Sequence, residues 1–217
     1  MPIHRLPVLM VSAVFTMASV VLAAQEPGNS IRANSDQVRQ WNAFADNVYR
    51  LHQQQIAGRK IRETEQVGGY ARLEGFYREV SYHDAASGRL LSRIQWERDN
   101  PDRIHGIEVY VYDDQGRVVR DYMAWYLPHY RNAPRATAIN LYHYDGDLHG
   151  WRQFDASNTR TYERCTRQPN GAVVLEYPDE DRLAEAAQDR RSAMHGPEYR
   201  RCFAGLEKTA GRYLTPQ

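Results

Sequence analysis

The chain predicts an α+β fold: an antiparallel β-meander of six to eight strands with N-terminal and C-terminal helices packed on one face. Two observations carry this. First, a hairpin pattern recurs three times, over residues 80–93, 109–122 and 141–154, with Tyr82, Tyr112 and Tyr144 at intervals of 30 and 32 residues. In each copy an Asp and a Gly-containing turn separate two runs of strand-forming residues. Second, residues with helical periodicity lie only before and after this block. An antiparallel sheet with one apolar face needs a cover, and the terminal helices can supply it. A closed β-barrel with peripheral helices is the alternative arrangement.

The elements follow in order. Residues 1–24 read as a signal peptide: Arg5 near the start, an apolar stretch from Val8 to Leu22, then Ala23 and Ala24 before a polar segment. Residues 25–34 are polar and read as a flexible linker, which leaves 35–217 as one α+β domain. Ser35-Asp36 starts a helix over 35–57, in which Val38, Trp41, Phe44, Ala45, Val48, Leu51 and His52 form one stripe. Gly68-Gly69 reads as a break ahead of the sheet, which is expected over 70–177. Strands are expected at Tyr70–His83 and Leu90–Glu97, with Arg98 to Asp102 as a Pro-punctuated loop between the latter and Ile104–Tyr112. The strand Ile104–Tyr112 alternates most clearly: Ile107, Val109 and Val111 point one way, Glu108, Tyr110 and Tyr112 the other. Further strands are expected at Arg117–Leu127, Ala136–Tyr144, Leu148–Phe154, Thr159–Arg167 and Ala172–Tyr177. Pro178-Asp179-Glu180-Asp181 opens the C-terminal helices over 179–211, its acids facing the positive end of the helix dipole.

Composition excludes several classes. Removal of the signal segment takes away Arg5 and leaves 27 basic against 27 acidic residues. That balance gives no reason to expect nucleic acid or an anionic membrane surface as partner. Arg outnumbers Lys 26 to two, with Lys only at positions 60 and 208. The two cysteines, Cys165 and Cys202, are expected to pair in an oxidising compartment and to staple helix to sheet. A mature chain of about 190 residues suits one domain with a sizeable core. No stable membrane span is expected after signal cleavage, and the location predicted is the periplasm or the exterior.

The segment Tyr110 to Val118, Y-V-Y-D-D-Q-G-R-V, resembles the YD-type hairpin repeats of large bacterial surface and toxin-shell proteins. The chain also resembles uncharacterised exported proteins of Gram-negative bacteria. That likeness rests on Tyr126 to Pro134 (Y-L-P-H-Y-R-N-A-P) and on Arg152-Gln153-Phe154-Asp155. It implies a compartment and no activity.

No nucleophile elbow, zinc-protease helix, P-loop or dinucleotide fingerprint is present, so a non-catalytic protein is expected. Glu108, Asp121 and Glu163 are the carboxylates weighed for glycosidase chemistry, and cross-strand pairing with Arg is the simpler reading. The densest set of metal-ligand types is His143, Asp145, Asp147 and His149 around one hairpin turn. Convergence of both imidazoles with an acid there would hold a divalent metal; no other cofactor is expected. The leading candidate surface is aromatic: Tyr110, Tyr112, Tyr122 and Tyr126 on one sheet face, with His129, Tyr130 and Arg131 at its rim. Tyr and Arg combine large area with a polar tip and suit recognition of an envelope protein or small ligand.

Overall fold

The computed structural model describes residues 35–129 and 132–216. The expected signal peptide and linker lie outside the described residues. Helix α1 spans Ser35–Ile56. Nine strands follow: β1 Ile61–Tyr70, β2 Leu73–Asp84, β3 Leu90–Glu97, β4 Asn100–Tyr112, β5 Val118–Trp125, β6 Ala136–Asp145, β7 Leu148–Phe154, β8 Arg160–Arg167 and β9 Ala172–Tyr177. Helices α2 (Glu180–Gln188) and α3 (Pro197–Phe203) close the chain, each followed by a 3₁₀ turn, Ala193–His195 and Gly211–Leu214.

The strands pair only with their sequence neighbours, in the order β1 to β9, all antiparallel. The sheet is therefore an open meander of nine strands and not a closed barrel. The extra strand is β1, which lies before the expected start of the sheet. Its side chains are almost all exposed, so no alternation marks it. Gly68 and Gly69 sit inside it instead of breaking the chain. A Cβ at Gly68 would fall 2.5 Å from the Tyr77 ring, and one at Gly69 would fall 2.2 Å from the Leu73 carbonyl oxygen. Both glycines permit close approach within a strand.

Cross-strand register sorts the side chains onto two faces. Val109 pairs with Tyr122, Tyr122 with Ile139 and Ile139 with Phe154, and these share one face with Ile94 and Ile107. Helix α1 lays Trp41, Phe44, Val48 and Leu51 onto that face. Each such side chain, fully buried, contributes about 1.5–3 kcal/mol. Helix α3 lies on the same face farther along. Gly150 pairs with Cys165, and Cys165 is joined by a disulfide to Cys202 of α3, with Cα atoms 5.9 Å apart. Closing that loop stabilises the fold by roughly 3–4 kcal/mol in the chain-entropy picture.

The C-terminal helices are shorter than expected. α3 ends at Phe203, where Gly205 packs under the His143 ring, and a Cβ there would lie 2.6 Å from it. The chain then turns so that the carbonyls of Leu206 and Glu207 accept hydrogen bonds from Arg152 Nη1, at 3.0 and 2.7 Å. A helix through 211 would have kept those carbonyls for itself.

Candidate functional site

The register that puts Val109 under α1 turns its neighbours outward to the opposite face, which neither α1 nor α3 covers. Tyr110 pairs with Asp121, Asp121 with Asn140, Asn140 with Gln153 and Tyr142 with Trp151. Met123 and Ala138 apart, this face is mainly polar and aromatic, and its polar groups bond one another. Glu79 accepts from Gln66 and Gln95, each at 2.7 Å. Arg93 lies between Glu79 and Glu108, at 3.3 and 3.5 Å. The Tyr110 hydroxyl donates to Glu108.

Over β6–β8 the face becomes an aromatic row. The Tyr142 and Trp151 rings stack with centroids 6.4 Å apart and planes 17° from parallel. Trp151 then meets Tyr162 at 4.5 Å. A short network fixes the rings. Trp151 Nε1 and Gln153 Nε2 both donate to Asn140 Oδ1 at 2.9 Å. Asn140 Nδ2 donates to Asp121 Oδ1 at 2.6 Å, and the Tyr142 hydroxyl donates to Asp121 Oδ2 at 2.8 Å. At the far end the Tyr162 hydroxyl donates to Glu176, which Arg164 also approaches. Burial pushes the Asp121 carboxyl above its ordinary range, although the bonds from Asn140 and Tyr142 oppose this. Burial, and then the Asp121 charge, raise the Tyr142 hydroxyl, so it stays protonated and donates. Beside the row is a cavity of about 430 Å³ lined by Tyr142, Tyr144, His149, Trp151, Arg164 and Thr166.

The structure divides the tyrosines that the sequence grouped together. Tyr110 lies on the uncovered face. Tyr122 is buried against Phe44 of α1, and burial pushes its hydroxyl up to about 12. Tyr126 packs against the same core and is likewise raised to about 12 by burial. Tyr110 and Tyr122 thus stand on opposite sides, because β4 and β5 pair Tyr110 with Asp121 and not with Tyr122. Tyr112 is half-buried, with its hydroxyl donating to the Leu90 carbonyl at 2.7 Å and the Arg89 guanidinium over its ring. His129 is exposed, its ring 5.3 Å from Phe76. Tyr130 and Arg131 lie outside the described residues.

The hairpin weighed as an alternative metal site keeps its two imidazoles apart. His143 pairs with Gly150, and His149 pairs with Tyr144, so the two imidazoles point to opposite faces. His143 Nδ1 lies 3.2 Å from the Cys202 carbonyl, while His149 packs against the Tyr144 ring at 4.8 Å. Asp145 is paired with Arg201, and Asp147 with Arg167. Among the described residues no group of three His, Cys, Asp or Glu is placed to hold a metal ion. The glycosidase trio is also separated. Glu108 and Asp121 share the uncovered face, but Glu163 pairs with Arg152 under the helices.

Trp151, Tyr162 and Asn140 are not among the candidates read from the sequence, and Gln153 enters there only as part of a resemblance motif. Strand β7 carried the signal: Leu148, Gly150, Arg152 and Phe154 alternate with His149, Trp151 and Gln153, which places Trp151 opposite the buried set. Among the described residues no helix is long and apolar enough to cross a membrane. Comparison of the chain with protein-family models, curated proteins and solved structures returned no match.

Proposed function

We propose that this is an exported, non-catalytic binding protein, and that the uncovered face over β6–β8 takes a saccharide. The observation that carries the reading is the row Tyr142, Trp151, Tyr162 on three adjacent strands, edged by Gln153, Arg164 and Glu176 and braced by the buried Asn140 and Asp121. A pyranose ring presents C–H groups on its flat face and hydroxyls around its edge. Aromatic rings match the first; amides, carboxylates and guanidinium match the second. Tyr142 and Trp151 are held by the network that ends on Asp121, and Tyr162 by Glu176, so little ordering cost falls on binding. The cavity beside them, about 430 Å³, suits one or two sugar units. The disulfide between Cys165 and Cys202 supports an oxidising compartment.

The test is titration of the purified mature chain with a panel of mono- to tetrasaccharides, read by tryptophan fluorescence and two-dimensional NMR. We expect at least one saccharide to bind and to shift resonances of β6–β8. Trp151→Ala and Tyr162→Ala should each weaken it about tenfold or more while the circular dichroism spectrum is kept. A panel that perturbs nothing on β6–β8 would remove the saccharide reading.

A further inference from the structure

A second cavity, of about 730 Å³, opens on the other side of the sheet, between β7–β8 and the C-terminal segment. Its walls divide into two kinds. Arg152, Arg160, Arg200 and Lys208 supply four cationic heads. Met194, Tyr199, Phe203 and Leu206 supply an apolar side. Glu163 answers part of the charge: its Oε1 accepts from Arg152 and, at 3.2 Å, from Arg160. Among the described residues neither Arg200 nor Lys208 has a carboxylate partner; Arg200 Nη1 spends one bond on the His195 carbonyl, at 2.8 Å. Four cations against one carboxylate leave an excess of positive charge at the mouth of an apolar hollow.

The arrangement is built and not incidental. Arg152 has a side chain only 3 % exposed. Its guanidinium is held by Glu163, by the carbonyls of Leu206 and Glu207, and by the Tyr199 hydroxyl at 3.2 Å. Those four partners come from β8, from α3 and from the chain just past it. The sheet and the C-terminal segment therefore meet at one fixed cation, whose carboxylate partner is shared with Arg160. The Phe203 ring lies 5.5 Å from the same guanidinium, so the apolar wall begins where the charge ends. A guanidinium with spare N–H groups beside an ammonium recognises an oxyanion, and an aromatic and thioether wall recognises hydrocarbon.

We infer that this hollow is a second binding site, for a small amphipathic anion: an oxyanion head at Arg160, Arg200 and Lys208, and an apolar body against Phe203, Tyr199 and Met194. The site is on the face opposite Trp151 and does not rest on the saccharide reading. Carboxylate and phosphate heads share the required chemistry, and the experiment separates them.

The experiment is calorimetry and NMR titration of the mature chain with octanoate, octyl phosphate, 1-octanol and inorganic phosphate. We expect at least one of the two octyl anions to bind, the tighter naming the head group, with shifts at Phe203 and Leu206. Octanol and inorganic phosphate should each bind about tenfold more weakly or less, since each lacks one half of the match. The double variant Arg200→Ala/Lys208→Ala should lose about tenfold in affinity and keep its thermal midpoint, because both side chains are exposed and neither is ion-paired. Octanol binding as tightly as the anions would overturn the inference. So would inorganic phosphate doing so, an unchanged affinity in the double variant, or no binding of either octyl anion.

Discussion

Arg152 and Glu163 form an ion pair that is buried on both sides, with side chains 3 % and 0 % exposed. Breaking it by removing one charge has a large expected cost. In Glu163→Gln the side chain keeps its shape, but the Arg152 guanidinium stays buried with two carbonyls and a hydroxyl as partners. Arg160 also loses its carboxylate. An uncompensated charge in such a setting costs about 3–5 kcal/mol. Because the amide oxygen still accepts one bond from Arg152, we place Glu163→Gln near the lower end, about 3 kcal/mol. Arg152→Met removes the donor to Leu206 and Glu207 as well and leaves Glu163 with Arg160 alone, so it should lie near the upper end, about 5 kcal/mol. The double variant Arg152→Met/Glu163→Leu buries no charge and should cost well below the sum of the two. Urea unfolding followed by near-ultraviolet circular dichroism measures all three, and the cycle isolates the coupling. Single variants within about 1 kcal/mol of the wild type, or an additive cycle, would refute the reasoning, since both follow from a pair that water reaches.

Two other perturbations test the packing under the helices. His52 of α1 is 4 % exposed and bonded to Ser92 Oγ at 2.7 Å, and burial lowers its imidazole from 6.5 to about 4. Above pH 6.5 neither state carries the proton. Between 6.5 and 4 the unfolded chain binds it and the folded chain does not, so stability falls by an amount on the order of 3 kcal/mol over that window. Burial also lowers His105, which adds in the same direction. The stability difference between wild type and His52→Gln, from urea unfolding at pH 7.5 and 4.5, should shrink on acidification; parallel pH curves would contradict the assignment. Gly150→Ala places a Cβ 2.0 Å from the Cys202 carbonyl oxygen, and the disulfide keeps α3 from moving away. We expect a loss of about 2–3 kcal/mol and a lowered thermal midpoint, where Gly171→Ala, at a φ of +68° with open space, tests backbone strain alone.

The central strands were legible because they are half-buried. Strands β3, β7 and β9 fall on their expected residues, and α1 buries its expected stripe from Trp41 to His52. Alternation reports burial on one face and is silent where there is none. That is why β1, exposed nearly throughout, was missed, and why its Gly68-Gly69 read as a break. Pro101 likewise read as loop but lies in β4, beside the Arg98-Asp99 turn, where few ladder bonds are lost. The end of α3 was not legible. It is decided by Arg152 drawing off the Leu206 and Glu207 carbonyls, a contact across more than 50 residues.

The candidate surfaces depended on register, which periodicity within one strand does not supply. Tyr110 and Tyr122 each look outward when β4 and β5 are read alone. The pairing of Val109 with Tyr122 puts Tyr122 in the core and leaves Tyr110 outside. The same reasoning parts His143 from His149: across this two-residue hairpin opposite partners such as His143 and Gly150, or Tyr144 and His149, are an odd number of residues apart, so a separation of six puts the imidazoles on opposite faces. Trp151 becomes prominent by the reverse route. It is outward because Gly150 and Arg152 on either side are claimed by the C-terminal segment, the first by close approach to Cys202 and the second by its carbonyl bonds. The aromatic row and the cationic hollow are thus two consequences of one alternation in β7, and substitutions there separate them: Trp151 acts on one face and Arg152 on the other.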